Sequence, residues 1–162
     1  MEIFEFEIPS HTTRREWAVY VIIATCKETN IKTLYVGKVG DNRAGCNPII
    51  SRIGNHFSHN KIHSQMRTKI VHPTKYDYRV LYSTFGEYIE ENHLDFRDKV
   101  NELERKLNTY IQENIKTSKN ITFLNPYKGV GVSKKKESER FVLLTEEERN
   151  SLKNLAKRAV DI

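Results

Sequence analysis

Residues 17–24, WAVYVIIA, constrain the fold more than any other stretch of the chain. β-Branched and aromatic side chains crowd a run too short for a typical helix, so it reads as a strand buried on both faces. Residues 32–39, KTLYVGKV, read as a second strand, and the polar CKETNI between the two suits a hairpin. YDYRVLY at 76–82 alternates well enough for a third.

Between the second and third strands, GDNRAGCNP is a turn segment, and Asn47 before Pro48 predicts a capped helix over 48–57. Ile49, Ile53 and Phe57 recur every four residues and form its buried face. A second short helix is expected over 58–70 on Ile62, Met66 and Ile70, with Pro73 limiting it. The clearest helix starts near Asp95, with Asp98 in its first turn, and runs to about residue 115. Phe96, Val100, Leu103, Leu107 and Ile111 mark its stripe. ITFLNPYKG at 121–129 is extended and ended by Asn-Pro. Residues 128–140 look loose and basic. Thr145 and Glu148 then make a capping box before a helix that buries Leu152 and Leu155.

The chain of 162 residues fits one domain, and its 38% hydrophobic content, with eight Tyr and seven Phe, supports a real core. The expectation is an α+β domain over 1–127, a small central sheet of about three strands flanked by helices. A basic connection and helical appendage over 128–162 packs on the same domain. Cys26 and Cys46 do not make a CxxC pair and read as free thiols. No stretch approaches the roughly 18 apolar residues of a membrane span, and MEIFEFEIP has no basic segment before an apolar one. A soluble, cytoplasmic protein with no membrane partner is therefore expected.

The formal charge is +6, and its distribution says more than its size. Lys61, Arg67, Lys69, Lys75 and Arg79 face a single acid, Asp77, across 61–79, and residues 134–136 are KKK. A one-sided basic face for nucleic acid and a mixed solvated surface both fit this pattern.

AVY at 18–20 followed by YVG at 35–37 resembles the paired motif of the GIY-YIG nuclease family. Arg52, an acid in the later helix, and Asn125 in FLNP follow in the order that family uses. The resemblance covers roughly residues 17–127. Ala18 stands in place of the first glycine, and Val19 and Val36 in place of isoleucines. The Arg52-x3-His56 spacing looks like the variant in certain restriction enzymes of the family. The resemblance implies a metal-dependent endonuclease that hydrolyses phosphodiester bonds in double-stranded DNA, sequence-specific in the restriction-type branch. The alternatives are a repair, phage or mobile-element nuclease that nicks structured DNA, and a noncatalytic DNA-binding module retaining the fold. Two chains would cut both strands in one symmetric event, which makes a homodimer an option.

Such chemistry must deprotonate a water and neutralise charge on the transferring phosphoryl group. Mg²⁺ or Mn²⁺ on a carboxylate and an arginine fork meet the second need. Glu102 and Glu104 compete for the carboxylate. At about 100° per residue, Glu104 lies about 60° from the centre of the apolar stripe and Glu102 about 140°. Glu104 is therefore expected at the edge of a cleft as the metal ligand, with a border salt bridge as the bland alternative, and Glu102 is expected in water. Arg52 and His56 stand one turn apart on one side of their helix and suit one phosphate together. Tyr20 and Tyr35 can project from the same sheet face. The resemblance prefers Tyr20 as base and Tyr35 as a phosphate- or water-positioning hydroxyl, although either can exchange roles with His56. Gly37 would permit close approach, and Asn125 would hold the chain against the active-site helix. Lys38, His59, Lys61, Arg67 and Lys69 are the expected DNA contacts.

His56, His59, His63 and Cys46 match no usual zinc spacing, and HxxxH here lacks a zincin's adjacent glutamate. VGKVGDNRAG lacks the GxxxxGK[ST] order, so no nucleotide cofactor is expected.

Overall fold

The computed structural model describes residues 2–40, 46–60, 63–116, 118–129 and 133–161. Lys61, Ile62 and most of the turn after Val39 lie outside the described residues.

Strands β1 (Glu16–Cys26) and β2 (Lys32–Val39) form an antiparallel hairpin in which Tyr20 pairs with Gly37 and Ile22 with Tyr35. Strand β3 (Tyr76–Glu87) pairs antiparallel with the other side of β1 and runs five residues past the 76–82 expected. Strand β4 (Ile121–Phe123) runs parallel to β2. The described residues thus make a mixed four-stranded sheet, order β3-β1-β2-β4, rather than one of about three strands. β4 is too short for an alternation pattern to reveal. Backbone bonds at its two ends hold it, Lys32 N donating to Asn120 O and Leu124 N to Leu34 O.

As the central strand, β1 buries every side chain from Trp17 to Ala24, which explains its uninterrupted apolar run. Helix α3 (His93–Ile115) packs across β1 and β2. Val100, Leu103, Leu107 and Ile111 are fully buried along it, and Phe96 stacks on Trp17. The helix starts two residues before Asp95, after a 3-10 turn at Glu90–Asn92. On the other face lies α1 (Ile49–Phe57), preceded by Pro48 at the cap with no side-chain cap bond from Asn47. The second helix, α2 (Gln65–Lys69), is shorter than expected, because Ser58 is extended and stops α1 there.

Within residues 128–140, expected to be loose, the chain forms α4 (Lys134–Phe141), whose first turn is capped by Lys136 N donating to Ser133 Oγ. In α5 (Glu146–Asp161) the capping box closes both ways: Thr145 N donates to Glu148 Oε2 and Glu148 N to Thr145 Oγ1. Leu152, Leu155, Ala156 and Ala159 of α5 are buried in the core shared with the sheet, where the helix packs on α3 and β3. The fold is α+β, and none of the described helices is long and apolar enough to cross a membrane.

Candidate active site

Hairpin register decides which side chains meet. Tyr20, Ile22, Tyr35 and Gly37 share one face of the sheet, whereas Val36 and Lys38 point to the other. α1 covers the first face and brings His56 onto both tyrosines. Tyr20 Oη lies 2.6 Å from His56 Nε2, and the imidazole sits edge-on to Tyr35 with ring centroids 4.9 Å apart. His56, expected at the border of the apolar face, is fully buried. Its Nδ1 has no hydrogen-bond partner among the described residues. Arg52, one turn earlier and half-buried, lies near enough to the Tyr20 phenol to favour its ionised form.

Gly37 is required for this packing. A Cβ there would lie 2.4 Å from both Cζ and Oη of Tyr20, so the phenol rests on the bare backbone of β2. The close approach is made by a side chain of this protein, which aims Tyr20 at His56.

Electrostatics divide the pocket into a dry floor and a wetter rim. Burial raises the Tyr20 phenol well above the usual range, against the opposing pull of Arg52. Tyr35 is raised for the same reason and by Glu104. Burial, helped by Arg52, lowers His56 to about 4, so its imidazole is neutral at physiological pH. Tyr20 and His56 together form a neutral hydrogen-bonded pair.

The acid arrives from the opposite face. Glu104 of α3 pairs with Lys38 of β2 at 3.2 Å, and Lys38 also donates to Asn101 Oδ1 at 2.6 Å. Glu104 is nevertheless near enough to raise the Tyr35 phenol, and more weakly that of Tyr20, against the opposing pull of Arg52. The fold permits this because β4 ends opposite Leu34, leaving the outer edge of β2 uncovered by strand beyond that point. There the Asn125 amide continues the pairing. Val36 N donates to its Oδ1 and its Nδ2 donates to Val36 O. The site therefore straddles the edge of β2 at Gly37 and Lys38.

Asn108 and Gln112 clamp the segment after β4 to α3, a role sequence reading missed. Asn108 Nδ2 donates to Asn125 O and its Oδ1 accepts from Tyr127 N, while Gln112 Nε2 donates to Tyr127 O. The signal was helical spacing: Asn108 is four residues beyond Glu104, and Asn101 three before it.

Glu102 is where the helical-wheel reading fails. Expected in water, it is only 3% exposed and ion-paired with Arg105. Glu102 and Arg105 border a groove of about 630 Å³ whose other wall is α4, and the later helix that packs on α3 is α5. Glu104 keeps 30% of its side chain exposed.

The expected DNA contacts scatter. Lys69 Nζ lies 5.7 Å from the Tyr35 ring centroid, beside the site. Lys38 is engaged with Glu104, His59 is exposed, and Arg67 lines a separate apolar groove with Phe57 and Tyr78. Among the described residues no three His, Cys, Asp or Glu side chains gather as a metal cage. A single half-exposed carboxylate suits Mg²⁺ or Mn²⁺ held jointly by protein and substrate phosphate, and does not suit a closed zinc site.

Comparison with family models, curated proteins and solved structures finds no match to this chain.

Proposed function

We propose that the protein is a divalent-metal-dependent endonuclease of the GIY-YIG type acting on double-stranded DNA, with restriction-type cleavage as the form the Arg52-x3-His56 spacing favours. One observation carries the reading: Tyr20, Tyr35, Arg52 and His56 gather on one sheet face, and the Glu104 carboxylate acts on the same phenols across the strand edge.

In this mechanism the rim meets the substrate. Arg52 turns its guanidinium from Tyr20 onto oxygens of the scissile phosphate, where a fixed fork of donors stabilises charge that grows toward the transition state. That turn also uncovers the Tyr20 oxygen, which is fully buried at rest. The attacking water gives its proton to Tyr20 Oη as the Tyr20 proton passes to His56 Nε2, so no free phenolate forms; the bond to the departing sugar oxygen breaks in line, and that oxygen takes a proton from solvent. The relay needs a neutral acceptor, and the depressed pKa of His56 keeps it neutral. Tyr35 orients the water or a phosphate oxygen. Glu104 would hold the divalent ion, which when bound supplies Lewis-acid polarisation of the phosphate. Lys38 balances the Glu104 charge at rest, and Lys69 adds attraction for the backbone beside Tyr35.

The test is incubation of defined linear and supercoiled duplex DNA with purified protein plus Mg²⁺, Mn²⁺ or chelator, followed by sequencing of the ends. Discrete ends that need the metal are expected. Intact DNA under every metal condition, with binding retained, would reduce the chain to a binding module.

A further inference from the structure

The amino-terminal arm and an apolar groove elsewhere on the domain are complementary, and neither is explained by the nuclease site. Over residues 2–9 the arm alternates: Phe4, Phe6 and Ile8 on one side, Glu5 and Glu7 on the other. Ile3, Phe4, Phe6 and Ile8 are 96%, 85%, 81% and 50% exposed. Monomeric surfaces rarely present such a cluster without a partner. The arm carries Glu2, Glu5 and Glu7 and no Lys or Arg.

The groove, of about 650 Å³, is lined by Phe57, Ile70, Val71, Pro73 and Tyr78, with Arg67 on it. The charged side chain on it, Arg67, is opposite in sign to the arm, and no acid among the described residues lines it. Val71 at its lip is largely exposed, and the next residue, His72, holds a left-handed backbone with φ 59°. A non-glycine residue kept in that region turns the lip outward at a cost in strain.

We infer that the occupant is the arm of a second copy: Phe4, Phe6 and Ile8 of one chain fill the groove of another, with Glu5 and Glu7 against its Arg67, and the exchange is reciprocal. The arm leaves the domain at Ser10–Thr13, where His11 stacks on Tyr82, and from there extends into solvent instead of folding onto its own groove. Extended, residues 2–9 span about 26 Å at ~3.3 Å per residue, enough to cross to a neighbour. Because every copy carries both parts, a two-fold pair fills both grooves at once and closes the assembly. The inference rests on the arm and groove alone, not on catalysis.

Sedimentation velocity on the full chain over a concentration series tests it. The wild type is expected to dimerise, Phe4→Ser with Phe6→Ser to weaken the dimer about 100-fold, and Arg67→Glu to weaken it less. Adding Glu5→Arg and Glu7→Arg to Arg67→Glu should restore the dimer. Melting temperatures at dilutions where all forms are monomeric serve as the folding control and should agree for the wild type and the arm variants. A wild type that stays monomeric overturns the inference, as does a dimer indifferent to the arm or a charge reversal without rescue. Failure here leaves the DNA-cleavage assay untouched, and the reverse holds equally.

Discussion

Glu102 and Glu104 stand two residues apart on α3, and the fold treats them in opposite ways. Glu102 is buried beside Arg105 on the flank of α3 that packs toward α5, its charge paired with its neighbour. Glu104 sits partly exposed at an open strand edge, paired with a lysine that also bonds Asn101. Burial alone would nominate Glu102, whereas the proposed mechanism uses Glu104. A group that must exchange partners during a reaction needs a resting partner that can leave, and the proposed mechanism requires this of Lys38. The same division runs through the pocket, with Tyr20 and His56 on a dry floor and Arg52, Glu104 and Lys38 on the rim.

This contrast breaks if the two carboxylates answer alike to mutation. Glu104→Gln should lower the cleavage rate by about 10³-fold, about 4 kcal/mol in the barrier, while duplex affinity and melting temperature stay close to wild type. Glu102→Gln should do the reverse. It leaves Arg105 beside a neutral amide in a covered site and should cost about 3 kcal/mol of stability in denaturant titration. Its folded fraction should cleave normally.

The dry floor has its own signature in pH. Folded His56 has a pKa of about 4, whereas the unfolded chain's histidine titrates near the usual 6.5. Between those values the unfolded state binds a proton that the folded state refuses, so stability falls as pH drops through the window. The full loss is about 3 kcal/mol below pH 4, and His56→Gln should remove that part of the pH dependence in thermal melts. Smallest is Gly37→Ala, expected to cost about 2 kcal/mol because the new methyl displaces the Tyr20 ring. Activity should fall further than stability explains, since the displaced phenol loses His56. An alanine variant with wild-type melting and cleavage would remove Gly37 from the account.

What the sequence made legible follows from the range of the forces involved. The β1–β2 hairpin and the stripe of α3 are local patterns, and the shared face of Tyr20 and Tyr35 comes directly from hairpin register. The four-residue step from Arg52 to His56 is local too. Glu102 was misread because the helix that packs on α3 is α5, more than forty residues later in the chain. The 121–129 segment read as extended, but its place as a fourth strand did not show, because three residues hold no periodicity and a side-chain amide at Asn125 extends the pairing. α4 is a charged KKKESERF that declares itself through a Ser133 cap instead of an apolar stripe.

The central claim is that Arg52 and Glu104, approaching from opposite faces of the sheet, act on one phosphate. A double-mutant cycle on single-turnover cleavage, using Arg52→Ala, Glu104→Gln and the pair at saturating protein, tests it directly. Groups that serve one transition state fail together, so the double variant should be no more than about 10-fold slower than the slower single. Losses that multiply in full would contradict the account and place the two residues in separate tasks.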